Sequence, residues 1–227
     1  MQTHLEFVTA MKQPLKYIFS ILLTVSPLLV SGQALDSARA KSKFSFDFAL
    51  DYGKILTLPS GFEKKMELAA GVTIKGKLQL IGELGYGKLT PEEAIKNGSY
   101  ESAGIYYRAG LAYGGEIIPK NYLLLGLMYG MSDFEDRGTV IIQSEVWGDN
   151  QEHFQHPGLT ATWYEIILIS EQQINDRIFL GSKFRLRNLR SFENDYEPEV
   201  YSIPGYGRAF DKSIPAFNLF VKYRLKL

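Results

Sequence analysis

Eight stretches of this chain alternate apolar and other residues with a period of two, the spacing of β-strands whose two faces meet different surroundings. In the first, Phe44, Phe46, Phe48, Leu50 and Tyr52 alternate with Ser45, Asp47, Ala49, Asp51 and Gly53. The second sets Met66, Leu68, Ala70, Val72 and Ile74 against Glu63, Lys65, Glu67, Gly71 and Thr73. The third runs over 78–87 with Ile81 as a breach, the fourth over 103–113 and the fifth over 123–132. The sixth, around "TWYEIILISE", is ambiguous, because Ile167 and Ile169 share a face with Trp163 and Glu165. The seventh spans 178–187. The eighth, "AFNLFVKYRLKL" at 216–227, alternates to Leu227 with Phe220 as its exception. An even number of strands, eight, matches the smallest membrane barrels.

The joints between runs alternate in length. The second, fourth and sixth are compact: Gly76-Lys77, "GGEIIPKN" at 114–121 and "QQINDR" at 172–177. The third, fifth and seventh are long and polar, over roughly 88–99, 133–160 and 190–214, while the first, "ILTLPSG", is modest. Short turns on one rim and long loops on the other are the pattern of outer-membrane barrels. The expected fold is therefore all-β: an eight-stranded antiparallel up-and-down transmembrane β-barrel over residues 43–227, monomeric, with outer-membrane lipids around it.

Period two alone does not say which face is inside. Glycines decide it: Gly71, Gly85, Gly104, Gly126, Gly130 and Gly181 lie on the polar face, and only Gly82 of the strand glycines lies on the apolar one. Glycine within a strand marks crowding, and the interior of an eight-stranded barrel is only wide enough for side chains. The polar face is then the lumen. It carries Asp47, Asp51, Glu63, Glu67 and Glu83 on strands one to three, with Arg108, Lys183, Arg185, Arg187, Lys222 and Arg224 on strands four, seven and eight. Turned to lipid, each base near the midplane would cost ~2–4 kcal/mol. Closing strand eight on strand one sets Lys222 and Arg224 beside Asp47 and Asp51. The expectation is a structural charge network that plugs the lumen, in preference to an ion path. Tyr52, Tyr86, Tyr113 and Tyr129 fall near strand ends on the outer face, where an interfacial girdle belongs.

The N-terminus reads as an address. Lys12 and Lys16, an apolar stretch over 17–30 and small residues to Ala34 form a secretory signal peptide, with Met11 the better start. Residues 1–34 are assigned to that signal and 35–42 to a linker. Fourteen apolar-rich positions are too few for a spanning helix, which needs ~20. Cysteine is absent, so thiolate metal sites, disulfides and a Cys nucleophile are excluded. Twenty-five basic residues balance 25 acidic ones, which gives no hint of a nucleic-acid partner.

The order "GFEKKMELAAGV", "LQLIGELGYG", "GSYESAGIYYRAGL", "LLLGLMYGMSDF", "TWYEIILIS", "IFLGSKFRLRNL" and "IPGYGRAF" resembles a family of uncharacterised small secreted Gram-negative proteins, a domain of unknown function with outer-membrane-barrel character. The resemblance covers roughly residues 44–227. It implies fold and an outer-membrane location, with assembly by the barrel-assembly machinery, and it brings no activity, ligand, cofactor or catalytic residue.

His153 and His156 in "HFQHP" have a His-x-x-His spacing that chelates metal on a helix, but Pro157 and Gly158 make the segment a solvated loop, and "DFED" at 133–136 likewise. A lipid-modifying enzyme would need a nucleophile beside a base. No histidine falls in an expected strand, and Ser182 faces lipid, so no enzyme, catalytic residue, metal or cofactor is expected. In "SIPGYGRAF", Pro204 and Gly205 suit a type II turn, and Tyr206 and Phe210 either pack over the barrel mouth, the reading ranked first, or present a binding surface. The expected function is structural or surface-binding through the outer loops, with the surface ligand unknown. The alternatives are a soluble extracytoplasmic barrel that encloses a hydrophobic ligand and an outer-membrane lipid-modifying enzyme.

Overall fold

The computed structural model describes residues 44–53, 63–91, 94–142 and 150–226. The expected signal peptide and linker, most of the first joint, the side chain of Glu63, and Leu227 lie outside them. Eight strands close on themselves: β1 (Phe44–Asp51), β2 (Glu63–Ile74), β3 (Leu78–Leu89), β4 (Gly98–Ile118), β5 (Asn121–Ile142), β6 (Asn150–Gln173), β7 (Ile178–Ser191) and β10 (Ser213–Lys226). Every strand pairs antiparallel with its neighbours in the chain, and β10 returns to β1 with Phe46 opposite Leu225 and Asp47 opposite Arg224. Two short strands, β8 (Ser202–Ile203) and β9 (Gly207–Arg208), form a separate hairpin in the last long joint.

The compact turns share one rim. Between β2 and β3, Lys75 (φ 51°) and Gly76 (φ 69°) are both left-handed, the signature of a type I′ hairpin, so the turn centres one residue earlier than Gly76-Lys77. The fourth joint shrinks from eight residues to two, Pro119 and Lys120, because pairing continues to Ile118 opposite Asn121.

The opposite rim departs most from expectation. The anticipated loop over 133–160 is largely strand: β5 runs to Ile142 and β6 starts at Asn150. "DFED" lies in β5, and His153 and His156 lie in β6. Strict apolar alternation fades there, yet the backbone ladder continues to Ile142 opposite Asn150. Pro157 is tolerated because β7 reaches only as far as Thr162, which leaves β6 an edge strand at that height. A register shift at Phe134/Asp136, with Gly158 at φ 70°, absorbs the Pro-Gly step as a bulge. With 24 residues at ~3.3 Å each, β6 is far longer than the ~9–11 residues of a membrane-crossing strand. β4, β5 and β6 therefore stand beyond the rest of the barrel as a three-stranded extension.

The faces sort by polarity. Phe46 (42% exposed), Leu125 (61%) and Leu127 (62%) point out, whereas seven carboxylates and seven cations are buried among the described residues. Large inward side chains sit across from glycines: Tyr106 opposite Gly85, Trp163 opposite Gly130, Phe220 opposite Gly181. This resolves the sixth run, whose Trp163, Glu165, Ile167, Ile169 and Glu171 all face inward. Phe220 breaks its strand's pattern because Gly181 leaves room for its ring.

Candidate functional site in the lumen

Five strands deliver the central network. β2 contributes Glu67, β3 Glu83, β6 Glu165, and β4 and β7 the guanidinium groups between them. Arg108 Nη1 donates to Glu67 Oε2 at 2.8 Å and Glu83 Oε2 at 2.9 Å, and its Nε lies 2.8 Å from Glu165 Oε1. Arg185 Nη2 donates to both Glu83 oxygens at 2.7 and 2.8 Å, Nη1 to Glu165 Oε2 at 2.7 Å, and Nε to Asn218 at 2.9 Å. Lys183 pairs with Glu83 as well. Tyr106 donates to Glu67 at 2.8 Å and Trp163 Nε1 to Glu165 at 2.7 Å. Burying an ion is costly unless it is paired and hydrogen-bonded, and here each carboxylate meets several donors.

A second network lies at the closing seam. Arg224 grips Asp47 through two bonds of 2.7 and 2.9 Å and reaches Thr73 at 3.1 Å. Lys222 pairs with Glu171 and lies 3.7 Å from Asp47. Asp51 accepts from Asn218 at 2.5 Å and lies opposite Phe220 in the register, with Lys222 lining the same cavity, whereas Arg224 stands opposite Asp47. A cavity of about 50 Å³ remains between the networks, lined in part by Asp47, Asp51, Glu67, Glu171 and Lys222, with room for a small number of waters.

The long seventh joint folds back into the mouth as a plug. Ile203, Pro204, Gly205 and Tyr206 form the expected type II turn, with Tyr206 N bonded to Ile203 O at 3.1 Å and Gly205 at φ 82°. The turn aims two carbonyls at the buried bases: Gly205 O accepts from Arg108 at 2.9 Å, and Tyr206 O accepts from Arg187 at 2.7 Å. Ser102 donates to Ser202 O at 2.8 Å, and the Tyr100 hydroxyl accepts from Tyr201 N at 3.0 Å. Val200, Ile203 and Tyr206 pack in one apolar cluster with Trp163, Phe134 and Leu159. Tyr206 therefore packs in the mouth as expected. Phe210 does not; it is 54% exposed and touches Tyr201 from outside.

Of the residues expected in the lumen, Asp47, Asp51, Glu67, Glu83, Arg108, Lys183, Arg185, Arg187, Lys222 and Arg224 are buried there. Glu63 opens β2, but its side chain is outside the described residues. Glu165 and Glu171 complete the networks and are absent from the expected set, although counting by twos from Trp163 reaches both. Asp136 and Lys65 are the other buried charges outside that set. His153 and His156 lie an odd number of residues apart in an extended strand, so they take opposite faces and form no chelate. His156 Nδ1 lies 2.8 Å from Asp136 Oδ1, and burial pushes the Asp136 carboxyl above its usual range against the opposing pull of His156. Among the described residues no three ligating side chains cluster. Ser182 stands opposite Ser170 and Leu219, at the other end of β6 from both histidines.

A closed eight-stranded barrel with an apolar skin and an ionised, filled interior defines the class of the small membrane β-barrels. The chain belongs to the family described as Domain of unknown function (DUF6048), whose model matches residues 14–227. Among solved structures, it is similar to Neisserial surface protein A at 11% identity and TM-score 0.39, covering 81% of this chain and 96% of the other. It is similar to Ail of Yersinia pestis at 11% identity and TM-score 0.40, covering 81% and 97%. A major outer membrane protein from Thermus thermophilus aligns at 10% identity and TM-score 0.46, covering 81% and 99%. No curated protein matches.

Proposed function

We propose that this protein is a monomeric, non-conducting outer-membrane barrel without enzymatic activity, and that it presents the β4–β6 extension at the cell surface as a binding platform. Its partners in this reading are outer-membrane lipids and, during insertion, the barrel-assembly machinery. The carrying observation is the pairing of a filled lumen with strands of 21, 22 and 24 residues on one rim only. Arg108, Arg185, Glu83 and Glu165 have no exposed side-chain surface, which supports a lumen that supplies rigidity in place of a path. Length beyond the crossing is then where recognition has room to occur. The outward Leu, Phe and Met residues would form an apolar surface far larger than soluble monomers show, which argues against the soluble ligand-binding barrel.

An epitope inserted between Ile142 and Asn150 should stain on intact cells, while one inserted at Gly76 should stain only after permeabilisation. The reverse pattern, or an extract that stays soluble without detergent, overturns the reading. In planar bilayers the purified protein should give no steady conductance.

A further inference from the structure

Just above the apolar band on the long-strand rim, Lys64 of β2 and Lys88 of β3 are direct register partners, both outward-facing. Like charges facing each other across two strands repel, and a fold gains nothing from such a pair by itself. Among the described residues, Glu101 of β4 is the carboxylate paired at this end, 2.7 Å from Lys88. Glu101 also binds Arg137 of β5 at 2.7 Å, and Arg137 feels Glu135 as well. Among the described residues the acids thus gather toward β5, the β2–β3 end is cationic, and nothing pairs with Lys64. Directly below the two lysines come Met66 opposite Tyr86 and then Leu68 opposite Leu84, all about half exposed or more.

We infer that Lys64 and Lys88 form a binding site for the phosphate of an outer-leaflet lipid headgroup, whose acyl chains lie on the Met66, Leu68 and Leu84 surface. The inference rests on the outer-membrane reading above. Two ammonium groups side by side supply the charge that a phosphate neutralises, and their aliphatic stems reach up from an apolar face to headgroup height. Tyr86, directly beneath Lys88 on the same face, has the amphipathic ring that prefers this interface. A soluble anion would need no hydrocarbon surface under the site, which is why a lipid is the occupant.

The test uses the full chain purified in detergent. Phosphorylated lipopolysaccharide and an enzymatically dephosphorylated sample are the probes, with co-elution measured by native mass spectrometry. Wild type and the Lys64→Arg/Lys88→Arg variant should retain the phosphorylated glycolipid. Lys64→Glu/Lys88→Glu should lose it about thirtyfold, at roughly one order of magnitude or less per surface lysine. Glu101→Gln should bind more tightly than wild type, because it frees Lys88. Unchanged gel mobility shift on boiling shows that each variant is still a barrel. Equal retention of the dephosphorylated probe, or equal retention by the Lys→Glu pair, overturns the site while leaving the membrane reading intact. A wild-type protein that needs no detergent and shows no shift on boiling overturns the membrane reading, and this site with it.

Discussion

Trp163 stands opposite Gly130 across the β5–β6 pair, and its indole fills the space that a side chain on Gly130 would need. The ring has nowhere to retreat, since Nε1 is tied to Glu165 at 2.7 Å. Gly130→Ala is expected to destabilise the barrel by about 1–3 kcal/mol, the usual cost of overpacking. Gly82→Ala is the control: on the outer face an added methyl meets only ordinary contact, so no loss is expected. Denaturation midpoints in detergent would show the contrast, and equal midpoints would remove the glycine seats from the account.

Glu165 is the carboxylate that Arg108, Arg185 and Arg187 share. Neutralising it as Glu165→Gln leaves three buried guanidinium groups short of a counter-ion, for an expected cost of about 3–5 kcal/mol. The Arg208–Asp211 pair is largely exposed, and Arg208→Ala should change stability by no more than experimental scatter. Both are read from urea denaturation of the folded, heat-modifiable form. Similar midpoints for the two variants would sink the claim that the interior ions are structural.

The plug should loosen without the barrel opening. Tyr206→Ala removes a ring 5.7 Å from Trp163 and fully buried in the mouth, a truncation worth about 3–5 kcal/mol in a packed core. That loss falls on the 192–212 segment, so limited trypsin digestion at Arg208 and Lys212 should speed up at least ~tenfold. The boiled-versus-unboiled mobility shift should persist. A cleavage rate equal to wild type would mean the segment is held by something other than this packing.

Asp136, in the extension, gives a pH dependence of definite sign. Burial raises its carboxyl pKa, and His156 on β6 and Tyr100 on β4 oppose the rise without cancelling it. The folded chain therefore holds this proton more tightly than the unfolded chain does. Below the ordinary carboxylate value of ~4 both forms are protonated and there is no penalty. The penalty grows as pH rises from there and levels off above the folded-state value. Asp136→Asn should gain on wild type as pH rises through that window, measured as the difference in denaturation midpoint. A difference that stays constant with pH would exclude Asp136 as its source.

Much of the barrel is legible in residue order because a closed sheet between lipid and a narrow lumen imposes one strict rule, alternation. Phe44–Leu50 and Leu78–Tyr86 carry it on their face, and the short turns betray themselves through Gly76 and Pro119. The extension is hidden because Thr139, Val140, Glu152 and Phe154 follow no strict apolar alternation, while their backbone pairing persists. Pro157 and Gly158 look like a loop until an unpaired edge and a bulge are seen to accommodate them.

What the sequence determined by itself was parity: which side chains share a face, and so which charges must share the lumen. What only the tertiary structure decided was partnership and depth. Arg185 of β7 meets Glu83 of β3 across the lumen, Asp51 settles on Asn218, and the Gly205 carbonyl descends onto Arg108. The physical reason is that a two-residue period fixes direction along each strand, whereas strand stagger, closure and the return of a long loop fix which ends meet.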